Sequence, residues 1–137
     1  MAPTVRTDTE PTPRSVRRAL RVLVADDEHD TVLTLTELLR EEGHEARGVH
    51  DGTDVMPAIR EFDPDVVLLD IAMPDASGWD VAREIRGRYG ERRPLLIAIS
   101  GLYKQSADHI LGTMAGFNHF VAKPYDPAAL LRLISKA

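Results

Sequence analysis

Three carboxylates, one hydroxyl and one amine in this 137-residue chain share a feature: each directly follows a short apolar run. Residues 20–25 run into Asp26-Asp27, 66–69 into Asp70, 95–99 into Ser100, and 118–122 into Lys123-Pro124. Taken singly, each aspartate reads as a helix cap or turn former. Taken as a set, they describe a reaction. Three carboxylates within a few ångströms repel one another, which raises the pKa of at least one unless a cation sits between them. Ligation by oxygen alone, with water completing an octahedron, is what Mg²⁺ prefers. An aspartate can also attack phosphorus and form an acyl phosphate. That product carries nearly two negative charges, so Lys123 and Ser100, placed opposite the metal, would stabilise it and the transition state before it.

The elements that must position these residues are legible in the apolar pattern. The run Leu20-Arg21-Val22-Leu23-Val24-Ala25 is a short buried strand, and Asp65-Val66-Val67-Leu68-Leu69-Asp70 is apolar on both faces, as a central parallel strand requires. Residues 44–49, 95–99 and 118–122 supply the second, fourth and fifth strands. Helices are expected from an N-cap at Asp30 to about Glu42, ended by Gly43, with Val32, Leu35, Leu38 and Leu39 facing inward. Others are expected over 52–62, where Pro57 forfeits a backbone hydrogen bond, over about 79–90, and over 105–115 with Gly112 inside it. The last begins at Asp126 and Pro127 as N-cap and N1. Strict alternation of strand and helix implies right-handed crossovers and a parallel sheet with helices on both faces, an α/β architecture. Ligands of such a sheet bind beyond the carboxyl ends of its strands, where strand order reverses.

Composition narrows the chemistry further. With no cysteine there is no thiol nucleophile, disulfide framework or iron–sulfur site. The longest apolar runs are far shorter than the roughly 20 residues of a membrane span, so a soluble, cytoplasmic protein without membrane contact is expected. The net charge is −5, but residues 1–18 carry four arginines against Asp8 and Glu10, which leaves 19–137 at −7. An acidic body repels phosphate backbones, so nucleic-acid binding is not expected. Residues 1–18, rich in proline and threonine, read as a disordered tail. No glycine-rich phosphate loop is present. The five histidines (His29, His44, His50, His109, His119) lack paired ligand spacing, which favours solvated or capping roles, although His29 is near enough to the acidic pair to modulate it. Trp79 reads as packing.

Asp26-Asp27, Asp70-Ile71-Ala72-Met73-Pro74-Asp75-Ala76-Ser77-Gly78, Ser100-Gly101 and Lys123-Pro124, in this order and spacing, resemble the response-regulator receiver domain of two-component signalling. The resemblance covers about residues 20–136 and assigns 19–137 to one receiver domain. It implies a flavodoxin-like five-stranded sheet of order 2-1-3-4-5. It implies that Asp70 is the phosphoacceptor and that Mg²⁺ is held by Asp27, Asp70 and the main-chain carbonyl of Ala72, with Asp26 in or just outside that shell. Lys123 and Ser100 would contact the phosphoryl group, with the backbone of Ala72 and Gly101 beside it. The Lys123-Pro124 bond matches the family's cis peptide. Ser100 and Phe120 would be the switch residues, although Phe120 lacks a hydroxyl and also reads as ordinary core.

The expected function is a phosphorylation-activated switch, not an enzyme with a separate substrate. It would take its phosphoryl group from a histidine kinase or histidine phosphotransfer protein and lose it to water. Its changed surface would be the face made by the 105–115 helix, the fifth strand and the last helix, with Tyr103 and Tyr125 exposed there. Two alternatives are weaker. A haloacid-dehalogenase-type phosphatase wants a second acid two residues after its nucleophile, where this chain has Ala72, and a non-phosphorylated pseudo-receiver would not fill all five positions with competent residues. The chain stops about ten residues after Asp126, consistent with a stand-alone regulator or the receiver piece of a hybrid histidine kinase, as a monomer or weak homodimer.

Overall fold

The computed structural model describes residues 19–101 and 115–135. The expected tail, Tyr103 and nearly all of the expected 105–115 helix lie outside the described residues. Five strands, β1 (Arg21–Ala25), β2 (Glu45–Val49), β3 (Val66–Asp70), β4 (Leu95–Ser100) and β5 (His119–Ala122), form one sheet in the order β2-β1-β3-β4-β5. Every pairing is parallel. The α/β sheet anticipated from the alternation is therefore the observed one. Its strand order reverses beside β1, where the chain leaves first for β2 and then crosses to β3 on the other side, opening a crevice above the carboxyl ends of β1 and β3.

Because side chains alternate along a strand, the apolar runs split their residues between two cores. Leu23, Val67, Leu69, Leu96 and Ala98 face one side. There they meet α2 (Val55–Phe62) through Val55 and Ile59, and α3 (Gly78–Tyr89) through Val81, Ala82 and Ile85. Val22, Val24, Val66, Leu68, Ile97 and Ile99 face the other side. Their partners are Val32, Leu35 and Leu39 of α1 (His29–Glu41) and Leu130 and Ile134 of α4 (Pro127–Ile134). β3 is buried at all five positions, as its unbroken apolarity requires. Phe120 packs against the first core beside Phe117, and Val121 against the second.

Local expectations hold with instructive exceptions. Asp126 caps α4, its Oδ1 accepting from the N–H of Ala128 at 3.1 Å, and Pro127 opens the helix. α1, however, starts at His29 rather than after Asp30, which falls within the first turn, where a negative charge suits the helix dipole. Thr36, not Leu38, completes the fully buried stripe, and its hydroxyl donates to the carbonyl of Val32 at 2.8 Å. Pro57 forfeits nothing, because it lies in the first turn of α2, whose N–H groups have no intrahelical acceptor. Tyr125 is half-buried against the second core rather than exposed, and burial pushes its hydroxyl pKa up.

Arg86 on α3 has a role that its sequence context does not announce. Its guanidinium donates to the carbonyls of Gly116 at 2.9 Å and Pro94 at 2.9 Å, and to Asn118 Oδ1 at 2.7 Å. The same Asn118 oxygen accepts from the N–H of Leu96 at 2.8 Å. One side chain thus ties α3 to the starts of both β4 and β5. Arg86→Ala is expected to lower unfolding free energy by about 2–4 kcal/mol, because it strips charge-assisted bonds from partly buried carbonyls. Urea denaturation with an unchanged m-value is the check.

Candidate functional site

β1 and β3 end on charge at the same level of the sheet, because Ala25 is in register with Leu69. Asp26 and Asp70 are carried into the crevice by backbones that the two cores hold rigidly, and both are almost fully buried at 2% and 5% exposure. Asp27 is exposed. Ligand oxygens of Asp26, Asp27 and Asp70 lie within 4.8 Å of one another. Ser100, 1% exposed, ends β4, and its carbonyl accepts from the N–H of Lys123 at 3.2 Å. Lys123 follows β5, joined to Pro124 by a cis peptide. The sheet thus gathers all five of the residues picked out by their strand-end positions.

Lys123 Nζ lies 2.9 Å from Asp26 Oδ2, 3.2 Å from Glu28 Oε1 and 3.8 Å from Asp70 Oδ2. Burial works against its charge, but the hydrogen bond and the charge of Asp26 outweigh burial and hold the ammonium well above its usual pKa. For Asp70 the balance favours the neutral form. Burial pushes its carboxyl up to about 6, and the neighbouring Asp26 adds to the rise. The Ala72 N–H, donating to Asp70 Oδ1 at 3.1 Å, and the Lys123 charge oppose that rise without cancelling it. Asp26 uses its second oxygen on the N–H of Glu28 at 2.9 Å. Among the described residues one ammonium therefore serves a pocket of several carboxylates, and Asp70 bears the deficit. An all-oxygen donor set short of positive charge suits a hard divalent cation.

The loop after β3 is fastened from below. Asp75 accepts from the N–H of Gly52 at 2.9 Å and of Thr53 at 3.0 Å, which holds its carboxyl below the usual range. Gly52 packs so closely that a Cβ there would come within 2.5 Å of Ala76 Cβ. At Gly78 a Cβ would come within 2.6 Å of Ile71 Cα. Ser77 caps α3 by accepting from the N–H of Trp79 at 3.2 Å. The turn residues of 73–78 thus pin the segment that carries Ala72, a role for Asp75 visible only when residues 52 and 53 arrive beside it.

Two histidines have partners that their spacing in the sequence does not announce. His44 stands just past α1, its N–H donating to the carbonyl of Leu39 at 3.0 Å and its Nδ1 accepting from the N–H of Leu20 at 3.1 Å, and burial lowers its pKa. His29 stacks on His50, with ring centroids 3.8 Å apart and planes 9° apart, while His50 Nδ1 is buried with no hydrogen-bond partner among the described residues. Glu28, absent from the residues picked out by sequence, joins the site because it continues the acidic pair past the end of β1 and reaches Lys123.

The pH dependence follows from the raised carboxyl. Asp70 is protonated in folded and unfolded chains below about pH 4. As pH rises through about 6 the folded state alone resists ionisation, so stability is lost. Asp70→Asn, neutral throughout, is expected to melt about 3–6 °C above the unsubstituted protein at pH 7.5 in chelator, with the gap closing near pH 4. A saturating divalent cation should raise the unsubstituted protein's melting temperature at pH 7.5 and have little effect near pH 4. Scanning calorimetry across pH measures both.

Comparison with known proteins agrees with this geometry. Residues 22–135 match the family described as the response regulator receiver domain. The chain is 36% identical over 111 residues to the DNA-binding response regulator MtrA of Mycobacterium tuberculosis, an alignment covering 81% of this chain and 47% of that protein. It therefore spans about half the length of the curated relatives it matches. Among solved structures, a signal receiver domain from Bermanella marisrubri superposes with a TM-score of 0.77 at 28% identity, covering 87% of this chain and 98% of that one. A CheY-like receiver domain protein from Methanospirillum hungatei JF-1 superposes with a TM-score of 0.79, covering 87% and 93%. At 22% identity the latter likeness speaks to the fold alone. With the sheet order, the acidic pocket and the family match in agreement, this chain belongs to the response regulator receiver domain family.

Proposed function

We propose that the chain is a phosphorylation-activated signalling switch whose phosphoacceptor is Asp70. The observation that carries this reading is the gathering of carboxylate oxygens of Asp26, Asp27 and Asp70 within 4.8 Å of one another, with the Lys123 ammonium 2.9 Å from Asp26 and 3.8 Å from Asp70. Mg²⁺ would be held by Asp27, Asp70 and the main-chain carbonyl of Ala72, with Asp26 beside them. Bound there, the ion would offset negative charge developing on the oxygens of the transferring group. The donor is the phosphohistidine of a histidine kinase or phosphotransfer protein. An Asp70 oxygen bonds to phosphorus as the phosphorus–nitrogen bond breaks, and the imidazole nitrogen keeps the electron pair.

The chain's own residues supply the rest. Asp70 must be ionised to attack, and a carboxyl titrating near 6 is ionised at neutral pH while staying more basic than an ordinary aspartate. Lys123 meets the transferred group's charge, Ser100 donates its hydroxyl, and the backbones of Ala72 and Gly101 line the same position. Water later removes the group, so the domain assists its own modification and turns over no separate substrate. A phosphatase reading is weakened by Ala72, which places a methyl group where a general acid is needed. Outward signalling runs from Ser100 on β4 and Phe120 on β5 toward residues 102–116, β5 and α4.

The partner side of the reading is coarser. DNA binding belongs to MtrA as a whole protein, of which the match covers 47%, and the −7 charge of residues 19–137 argues against DNA contact by this part. Among the described residues no helix is long and apolar enough to cross a membrane. A cytoplasmic setting and a monomer or weak homodimer fit the proposed role.

Labelling by acetyl phosphate or a cognate kinase in Mg²⁺ tests the assignment. Asp70→Asn should take up no acid-stable, base-labile phosphate. Lys123→Ala should slow uptake at least about tenfold, because a positioned charge-stabilising group is lost. Asp70→Asn labelled as fully as the unsubstituted protein would show that another residue is the acceptor.

A further inference from the structure

Lys123 is shared between two carboxylates of different character. Asp26 is buried at 3% side-chain exposure, and its two oxygens are committed to Lys123 Nζ and the N–H of Glu28. Glu28 is 64% exposed, yet its carboxylate is not left to wander. Oε1 accepts from Thr31 Oγ1 at 3.2 Å and lies 3.2 Å from Lys123 Nζ. The Thr31 hydroxyl, one helical turn on in α1, thus holds the Glu28 carboxylate over the mouth of the pocket. The ammonium stands 3.8 Å from Asp70 Oδ2, outside hydrogen-bond distance of it and within that distance of Glu28.

Resting on the assignment of Asp70 as phosphoacceptor, we propose that Glu28 is a positioning residue that parks Lys123 at the pocket mouth and competes with an incoming phosphoryl group for it. A dianionic group on Asp70 needs the ammonium closer than 3.8 Å, and the contact to be surrendered is the solvated one, since an exposed carboxylate regains water when it lets go whereas buried Asp26 would not. Glu28 therefore sets how strongly the pocket holds a phosphoryl group without touching that group itself. Its negative charge at the entrance also works against anion entry, in the same direction.

Beryllofluoride, a phosphoryl mimic, reports this as a binding constant by calorimetry in saturating Mg²⁺. Glu28→Gln is expected to bind it about two- to fivefold more tightly than the unsubstituted protein, the range an exposed ion pair supports. Glu28→Asp keeps the charge but shortens the arm by one methylene, so it should also tighten binding. Thr31→Val, which frees the carboxylate, should shift affinity the same way by less. Acetyl phosphate labelling rates in saturating Mg²⁺ should follow the same order. If Glu28→Asp matches the unsubstituted protein while Glu28→Gln binds more tightly, the effect is net charge alone and the parking role is overturned. Equal binding by all variants overturns it as well. Failure of the unsubstituted protein to bind beryllofluoride in Mg²⁺ would instead sink the phosphoacceptor reading, and the role of Glu28 with it.

Discussion

An excess of like charge held in a confined place organises this molecule. Asp26 and Asp70 are almost fully buried, Asp27 and Glu28 adjoin them, and Lys123 is the cation the structure places among them. Isolated carboxylates in such surroundings would protonate or draw in water. Here they are kept in place because the strands that carry them are clamped by two apolar cores. The cost of the arrangement appears where physics puts it, on Asp70, whose carboxyl is held up near 6. Packing holds the pocket together while its charges stay unbalanced, which marks it as a candidate functional site.

The rest of the structure serves that confinement in layers. The parallel sheet brings β1, β3, β4 and β5 to a common edge, so residues separated by up to 97 positions meet at hydrogen-bond distance, as Lys123 and Asp26 do. The loop after β3 is fastened by Asp75 to Gly52 and Thr53, and by close packing at Gly78. Far from the site, Arg86 fixes the approach to β5. Backbone hydrogen bonds join this edge from strand to strand, the Ile71 N–H donating to the carbonyl of Ile99 and the Lys123 N–H to that of Ser100. Tyr125, half-buried beside this edge, is covered by the same core that α4 completes.

The boundary between what local pattern reveals and what it conceals follows the range of the interactions involved. Helix ends illustrate it. Asp126-Pro127 announces α4 because cap and first turn are adjacent in sequence. α1 starts at His29 with Glu28 as its N-cap residue, and the Glu28 carboxylate, instead of capping the helix, reaches Lys123, 95 residues away. His44 and His50 show the same thing. Their spacing says nothing of ligands, and their partners, Leu20 and His29, come from other elements.

By itself the sequence determined the strand and helix alternation, the two-faced burial of β3, and the set of Asp26, Asp27, Asp70, Ser100 and Lys123. Each of these follows from residues adjacent or periodic along the chain, and strand ends in a parallel sheet necessarily share an edge. The tertiary structure alone decided how charge is apportioned within that set: that Asp26 takes the short bond to Lys123, that Glu28 joins it, and that Asp70 is left with the raised carboxyl. It also decided the partners of Asp75, Arg86 and His29. Electrostatic energy depends on separations of a few ångströms and on local burial, and neither quantity exists until the sheet has closed.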